Sequence, residues 1–136
     1  MAASTFNSTL NIQYTPPSAP ANSGVASLLV GGTYNGGQAG SIDVPTTIVV
    51  SPPTVIPVPF GSVAAAKLLV IRNNMSSEIG VRLNGAVSNT FNLPPGGEFV
   101  YAAPTAPGAI PLTSADVIPT VAPTVIEKID YWCFGD

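Results

Sequence analysis

The chain has 136 residues and a formal net charge of −3, and 8% of its residues are charged, against roughly 25% in ordinary globular domains. Domains of about 100 to 150 residues are the commonest, so the length predicts a single domain with its own core. Histidine is absent and the 4 basic residues are scattered, which excludes the usual histidine-dependent catalysis and a basic stripe for nucleic acid or anionic membrane.

Residues 1–24 are predicted to form an N-terminal arm that contains one short strand. Residues 9–14 alternate apolar and polar side chains, the pattern of a half-buried strand. The proline-rich segment that follows predicts a linker or a loop lying on another surface. Residues 25–136 are predicted to form the β-sandwich domain. It begins with a short apolar run, and the glycine-rich segment that follows predicts a flexible turn or a bulged region around Tyr34.

The middle of the chain carries the clearest strand patterns. Residues 41–50 resume strand character, and the four prolines within residues 51–60 predict an extended connector or an edge segment. Residues 66–74 are apolar on both faces, as in a central strand of a sandwich. We expect this strand to form a hairpin with the alternating residues 79–85.

Two short turns organise the next stretch. Asn84 and Gly85 form a dipeptide that favours the tight turns of hairpins, since both residues tolerate a positive φ. The Leu-Pro-Pro-Gly-Gly sequence at 93–97 predicts a corner between two strands. Residues 67–101 are therefore predicted to form a meander of about four short strands, the spacing typical of sandwiches and small barrels.

The last third of the chain is punctuated by prolines over residues 105–124, within which residues 109–113 could form a short strand. Residues 125–136 alternate in character. A helix over residues 124–131 is the alternative, but the β-branched and aromatic content favours a strand. No helical stripe survives without a proline or glycine, so the predicted fold is an all-β antiparallel sandwich.

No combination of side chains in the sequence predicts chemistry. Glu127 and Asp130 are a close carboxylate pair, but a spacing of three places them on opposite faces of a strand. Calcium loops, zinc clusters and nucleotide-binding loops are absent from the sequence. We expect no enzymatic activity, no cofactor, no catalytic or metal site and no small-molecule substrate.

Two features leave alternatives open. Tyr34 or Trp132 could bind a glycan if exposed, or could pack in the core. Cys133 is the only cysteine; it could be reactive, could pair between chains, or could pack as a small apolar residue.

A family resemblance rests on residues 67–101 and the closing Ile-Asp-Tyr-Trp-Cys-Phe-Gly-Asp. A strand ending in Arg-Asn, a strand ending in Asn-Gly, the Leu-Pro-Pro-Gly-Gly corner and an aromatic C-terminal strand resemble those of capsid cement (decoration) proteins of tailed bacteriophages. These are of the jelly-roll type, similar to that of Bordetella phage. The resemblance implies a sandwich on the outside of the capsid that binds the major capsid protein, as a homodimer or homo-oligomer, and cements neighbouring subunits.

That resemblance implies a location on the virion exterior. The N-terminal residues resemble no secretory signal, which predicts synthesis in the host cytoplasm, and the scattered basic residues predict no nucleic-acid or membrane partner. The alternatives are a glycan- or receptor-binding module of a phage fibre and a structural subunit of the tail or baseplate. The interface candidates are apolar residues in irregular, proline-rich flanks: Phe6, Tyr14, Pro52, Pro53 and Phe60.

Overall fold

A computed structural model describes residues 4–14, 24–103 and 111–136 of the chain, and the two strands before Asn35 mainly through their backbone. All regular structure in these residues is β-strand, so the prediction of an all-β fold is confirmed. The strands in chain order are β1 (Ser4–Tyr14), β2 (Gly24–Tyr34), β3 (Gly36–Val44), β4 (Ile56–Pro57), β5 (Ala66–Asn73), β6 (Ile79–Leu83), β7 (Phe91–Leu93), β8 (Glu98–Ala102), β9 (Ala115–Pro119) and β10 (Glu127–Gly135).

The strands form a two-stranded ribbon and two four-stranded sheets. The ribbon pairs β1 with β2, the first sheet has the order β3-β10-β5-β8, and the second has the order β4-β9-β6-β7. All pairings are antiparallel, and four of them are nested: β3 with β10, β4 with β9, β5 with β8, and β6 with β7. The arrangement is compatible with the predicted β-sandwich.

The hydrophobic core contains side chains from both four-stranded sheets. Leu69 and Ile71 of β5 and Ile129 of β10 come from the first sheet, and Ile79 and Val117 come from the second. All five are completely buried. The two sheets therefore share one core, and each sheet turns alternate residues toward it.

Asn73 is a completely buried polar residue at the end of β5. Its Nδ2 donates hydrogen bonds of 2.9 Å to the carbonyl oxygens of Ser77 and Leu93, and its Oδ1 accepts one of 2.9 Å from the amide of Met75. Buried polar groups are costly unless they are hydrogen-bonded. The side chain therefore joins the end of β5, the following turn and the end of β7.

The Leu-Pro-Pro-Gly-Gly corner is a turn that carries the chain from β7 in the second sheet to β8 in the first. The amide of Gly97 donates to the carbonyl of Pro94 at 2.9 Å, and Gly96 has a φ of +72°, as a type II turn requires. Gly96 also donates to the carbonyl of Asn73 at 2.8 Å, while Asn73 donates back to the carbonyl of Gly97 at 2.9 Å. The corner is thus fastened to β5 by the backbone as well as by the Asn73 side chain.

The turn at Asn84 and Gly85 has the geometry that the sequence predicts. Their φ values are +53° and +70°, and the amide of Ala86 donates to the carbonyl of Leu83 at 3.1 Å. Positive φ at both central positions defines the primed turn of tight hairpins. This turn directly follows β6 and begins the connection between β6 and β7.

The predicted hairpin of β5 with β6 is wrong. β5 pairs with β10 and β8, and β6 pairs with β7 and β9, so residues 74–78 cross from one sheet to the other. The predicted meander over residues 67–101 is wrong for the same reason, because only β6 and β7 are neighbours in both chain and sheet. A period of two tells which face of a strand is buried, and it does not tell which sheet the strand joins.

The predicted flexible turn around Tyr34 is also wrong. β2 and β3 run through the glycine-rich segment and are separated by Asn35 alone. The glycines make room for aromatic rings of the neighbouring strand: a Cβ on Gly37 would overlap Cδ1 of Phe134, and one on Gly40 would lie 3.2 Å from the Oη of Tyr131. Close packing, and not chain flexibility, explains Gly37 and Gly40.

The proline-rich segments have mixed outcomes. β4 is an edge strand of the second sheet, which confirms the edge assignment within residues 51–60. β9 lies inside the same sheet, although residues 105–124 gave no clear strand pattern. Its proline, Pro119, is the last residue of the strand, a position at which the hydrogen-bond ladder of the sheet tolerates a missing N–H. Residues 111–113 are the described part of the possible strand at 109–113. There Leu112 forms only an isolated β-bridge with Ala66.

The C-terminal strand is confirmed as β10, with Ile129, Tyr131 and Cys133 turned into the core. The predicted boundary between arm and sandwich falls at Gly24, the first residue of β2, and the proline-rich segment before it lies outside the described residues. The division into arm and sandwich stays a prediction.

Candidate partner-binding surface

Two connections between the sheets lie side by side at one end of the fold. Residues 45–55 lead from β3 to β4, and residues 120–126 lead from β9 to β10. β3 pairs with β10 so that Val44 lies opposite Glu127, and β4 pairs with β9. Because both connections join the same two pairs of strands, they cross between the sheets next to one another.

These two connections expose most of the large hydrophobic side chains found on the surface. Val125 is 64% exposed and Ile126 is 63% exposed. No charged residue occurs in either connection. We refer to this surface as the apolar end, and it comprises Val49, Val50, Val55, Val121, Val125 and Ile126 together with Pro52 and Pro53. Exposed apolar side chains concentrated on neighbouring connections are typical of interaction sites.

The first connection is held in a fixed shape by its own hydrogen bonds. The amide and the hydroxyl of Thr54 each donate to the carbonyl of Val49 at 2.8 Å, and the amide of Val49 donates to the Thr54 hydroxyl at 3.1 Å. Between them, Val50 and Pro53 form an isolated bridge. A loop fixed in this way loses little conformational entropy when it binds a partner.

The five predicted interface residues lie in three different places. Pro52 and Pro53 are exposed at the tip of the apolar end. Phe60 is partly buried and packs against the core. Phe6 and Tyr14 lie in β1, and their side chains fall outside the described part of the chain. The structure therefore brings the two prolines together and leaves Phe60 apart from them.

The valines of the apolar end were not predicted from the sequence. Their signal was present, since Val49, Val50 and Val55 flank the Pro52–Pro53 pair, and the second connection also has valines on both sides of a proline. Valine is an ordinary core residue, and only the strand pairing shows that these valines lie on connections and not in strands.

The carboxylates of β10 do not form a reactive pair. Glu127 Oε2 accepts a hydrogen bond of 3.1 Å from the amide of Ser76, and Asp130 Oδ2 accepts one of 2.6 Å from Asn74 Nδ2. The two residues lie on opposite faces of the strand, as predicted. Among the described residues no group of three or more His, Cys, Asp or Glu side chains could hold a metal ion.

Cys133 is completely buried in the core. Desolvation raises the pKa of its thiol from 9.0 to about 11. The thiolate is the reactive form of cysteine, so the buried thiol is unreactive near neutral pH. It packs as a small apolar residue.

Comparisons of the chain with protein-family models, with curated proteins and with solved structures found no match. In the segments that the structure describes, no helix is long and apolar enough to cross a membrane.

Proposed function

We propose that the chain is a structural virion protein that binds the outer surface of a phage capsid and cements neighbouring subunits of the major capsid protein. This would stabilise the head against the pressure of the packaged DNA. The observation that carries the proposal is the apolar end, an uncharged group of exposed aliphatic side chains on two adjacent connections, of which the first is held by its own hydrogen bonds. Depletion of charge is characteristic of the centres of protein interfaces.

The strand order supports the jelly-roll type of sandwich within this proposal. Eight strands, β3 to β10, form two four-stranded sheets with the orders β3-β10-β5-β8 and β4-β9-β6-β7. This nested pairing results when β3 to β6 form one arm of a long hairpin and β7 to β10 form the other, and the hairpin then rolls up into two sheets. Jelly rolls built in this way recur in viral capsid domains and in lectins.

The size of the apolar end suits reinforcement by many copies. Covering a half-exposed valine or isoleucine contributes about 1 kcal/mol, so its six aliphatic side chains would contribute on the order of 5 kcal/mol. Association costs offset part of this gain, and a single copy would bind weakly. Many copies on one shell would hold it firmly without any single tight site.

The ribbon of β1 and β2 would supply the second contact of the proposed cement protein, as its N-terminal arm. Each strand has 11 residues, which gives a ribbon roughly 35 Å long. An isolated two-stranded ribbon is marginally stable in water. Contact with the shell or with a second copy in a homodimer would stabilise it.

The test is binding to heads of the producing phage that were assembled without the protein. We expect the protein to bind them and to raise the temperature at which they rupture. A variant with Val125→Ser and Ile126→Ser should bind at least tenfold more weakly, because about 1.4 kcal/mol corresponds to a factor of ten. Val87→Ser is the matched control, since Val87 is 92% exposed but lies between β6 and β7, away from the apolar end.

Two results would overturn the proposal. One is that purified virions contain no copy of the protein on their heads. The other is that the Val125 and Ile126 variant binds as well as the Val87 control. A cryo-EM map that places the protein on a fibre, the tail or the baseplate would establish one of the alternative structural roles in its place.

A further inference from the structure

The outer face of the first sheet carries an exposed tryptophan in a row of small apolar residues. Trp132 of β10 pairs with Ala39 of β3 on one side and with Val70 of β5 on the other, and Val70 pairs with Val100 of β8. Trp132 is 38% exposed and Val100 is 46% exposed. We refer to these four residues as the apolar row. They are turned away from the core, because β10 directs Tyr131 and Cys133 inward.

A row of polar residues runs alongside the apolar row. Asp130 pairs with Ser41 of β3 and with Arg72 of β5, and Arg72 pairs with Glu98 of β8. Residues two apart on one strand face lie about 7 Å from each other. This polar row is therefore one side-chain spacing from the indole of Trp132.

The polar row keeps unused hydrogen-bonding capacity. The Asp130 carboxylate accepts from the Ser41 hydroxyl and from Asn74 Nδ2, two of about four acceptor positions. Arg72 Nε lies 3.6 Å from Glu98 Oε1, and both side chains are half-exposed. A guanidinium group has five N–H donors. Donors and acceptors thus remain for a ligand beside the tryptophan.

We propose that this face binds an uncharged saccharide, with a pyranose ring stacked on Trp132 and its hydroxyl groups hydrogen-bonded to the polar row. A sugar ring has an apolar C–H face that suits an aromatic surface, and hydroxyl groups that both donate and accept. Arg72 supplies donors and Asp130 supplies acceptors within one ring's width of the indole. The two carboxylates and one guanidinium of the polar row are net negative, which disfavours an anionic sugar.

The size of the site favours a saccharide over a protein. Four strands spaced about 4.8 Å apart make the apolar row roughly 20 Å long and about 7 Å wide, or about 140 Å². A stable protein interface covers about 800 Å² on each partner. The apolar row by itself is much smaller than a protein interface, and it matches one or two sugar rings.

The saccharide site is separate from the apolar end, so it does not rest on the proposed capsid contact. Trp132 lies five positions along β10 from Glu127, where the apolar end begins, and this is roughly 17 Å along the strand. One surface could be occupied without the other. Loss of saccharide binding and loss of head binding are therefore distinguishable.

The test uses a panel of uncharged mono- and oligosaccharides based on glucose, galactose and mannose. Trp132 is the only tryptophan, so its fluorescence reports binding at this face directly, and saturation-transfer NMR reports binding in variants that lack it. We expect at least one saccharide to shift the emission at millimolar concentration or below. Trp132→Ala should abolish saturation transfer, and Asp130→Asn should weaken binding about tenfold.

Asp43→Asn is the matched control, because Asp43 is an exposed carboxylate of β3 that pairs with Lys128 outside both rows. It should leave saccharide affinity unchanged, and circular dichroism should show all variants folded. The proposal is overturned if no saccharide of the panel binds, if binding survives Trp132→Ala, or if sulfated or carboxylated sugars bind in preference to neutral ones. It is also overturned if Trp132→Ala weakens binding to phage heads, which would assign the face to a protein.

Discussion

Replacing Asn73 with alanine should destabilise the protein more than any exposed substitution. The change removes three hydrogen bonds, to the backbones of Ser77, Leu93 and Met75, from a completely buried position. A buried group that loses its partner costs about 1 to 3 kcal/mol, so we expect the free energy of unfolding to fall by about 3 to 5 kcal/mol. Whole domains are stable by about 5 to 15 kcal/mol, so this is a large fraction.

The assay is urea unfolding followed by circular dichroism, with Asn74→Ala as the control. Asn74 is the adjacent residue, is exposed, and donates to the half-buried Asp130, so its loss should cost under about 1 kcal/mol. The reasoning is refuted if the two variants unfold at the same urea concentration.

Asn73→Asp gives a second measurement on the same site. It keeps an acceptor for Met75 but turns a carboxylate toward the carbonyl oxygens of Ser77 and Leu93, which raises the pKa of the new carboxyl above its usual value of about 3.9. A raised folded-state pKa favours the protonated form, so the variant should be most stable near pH 4 and should lose stability as the pH rises toward 7.

Two further results follow from the packing of β10. Gly135→Ala should lower the free energy of unfolding by about 2 to 3 kcal/mol, since a Cβ there would overlap the carbonyl oxygen of Ala65. Gly85→Ala is the control: Gly85 has a φ of +70° and lies in open space, so this change should cost only about 1 kcal/mol. Equal melting temperatures of the two variants would contradict the packing argument. Cys133 should resist thiol reagents at pH 8 until the protein is unfolded. The pKa of the Cys133 thiol is raised from 9.0 to about 11 in the folded protein. The stabilisation that the protonated thiol contributes is therefore complete below pH 9 and is lost as the pH rises through 11. The free energy of unfolding of Cys133→Ala should not show this loss.

The sequence was sufficient to predict the fold class and several strands. β5 and β10 alternate over eight and nine residues, long enough for a period of two to be recognised. β9 could not be recognised, because it has five residues between proline-rich flanks. Sheet membership was unpredictable for a different reason. Residues 74–78 are short enough for a hairpin, yet they cross between the sheets. The end of β5 is fixed partly by hydrogen bonds of Asn73 to Leu93, Gly96 and Gly97, which are 20 or more positions away in the sequence.

The candidate surfaces were predictable only in part. Pro52 and Pro53 were predicted as interface residues because they lie in an irregular, proline-rich segment, where apolar side chains are hard to bury, and both are exposed. Phe60 lies in the same kind of sequence, yet it packs against the core, because it follows β4 and the buried Val58, where the chain has returned to the second sheet. The alternation of β10 could assign Trp132 to the face opposite Cys133. The exposure of Trp132, however, depends on its neighbours Ala39 and Val70, and these are known only from the pairing register of β10 with β3 and β5.

The nested strand pairing has a consequence for how the chain folds. Near the turn at Asn84 and Gly85, the bonded residues Leu83 and Thr90 are 7 positions apart, whereas Ser41 and Asp130 are 89 positions apart. Closing a long loop costs more entropy than closing a short one, so pairing should start at β6 and β7 and proceed outward to β3 and β10. Folding should be slow, as in other folds dominated by distant contacts, and substitutions near this turn should slow folding while substitutions in β3 mainly speed unfolding.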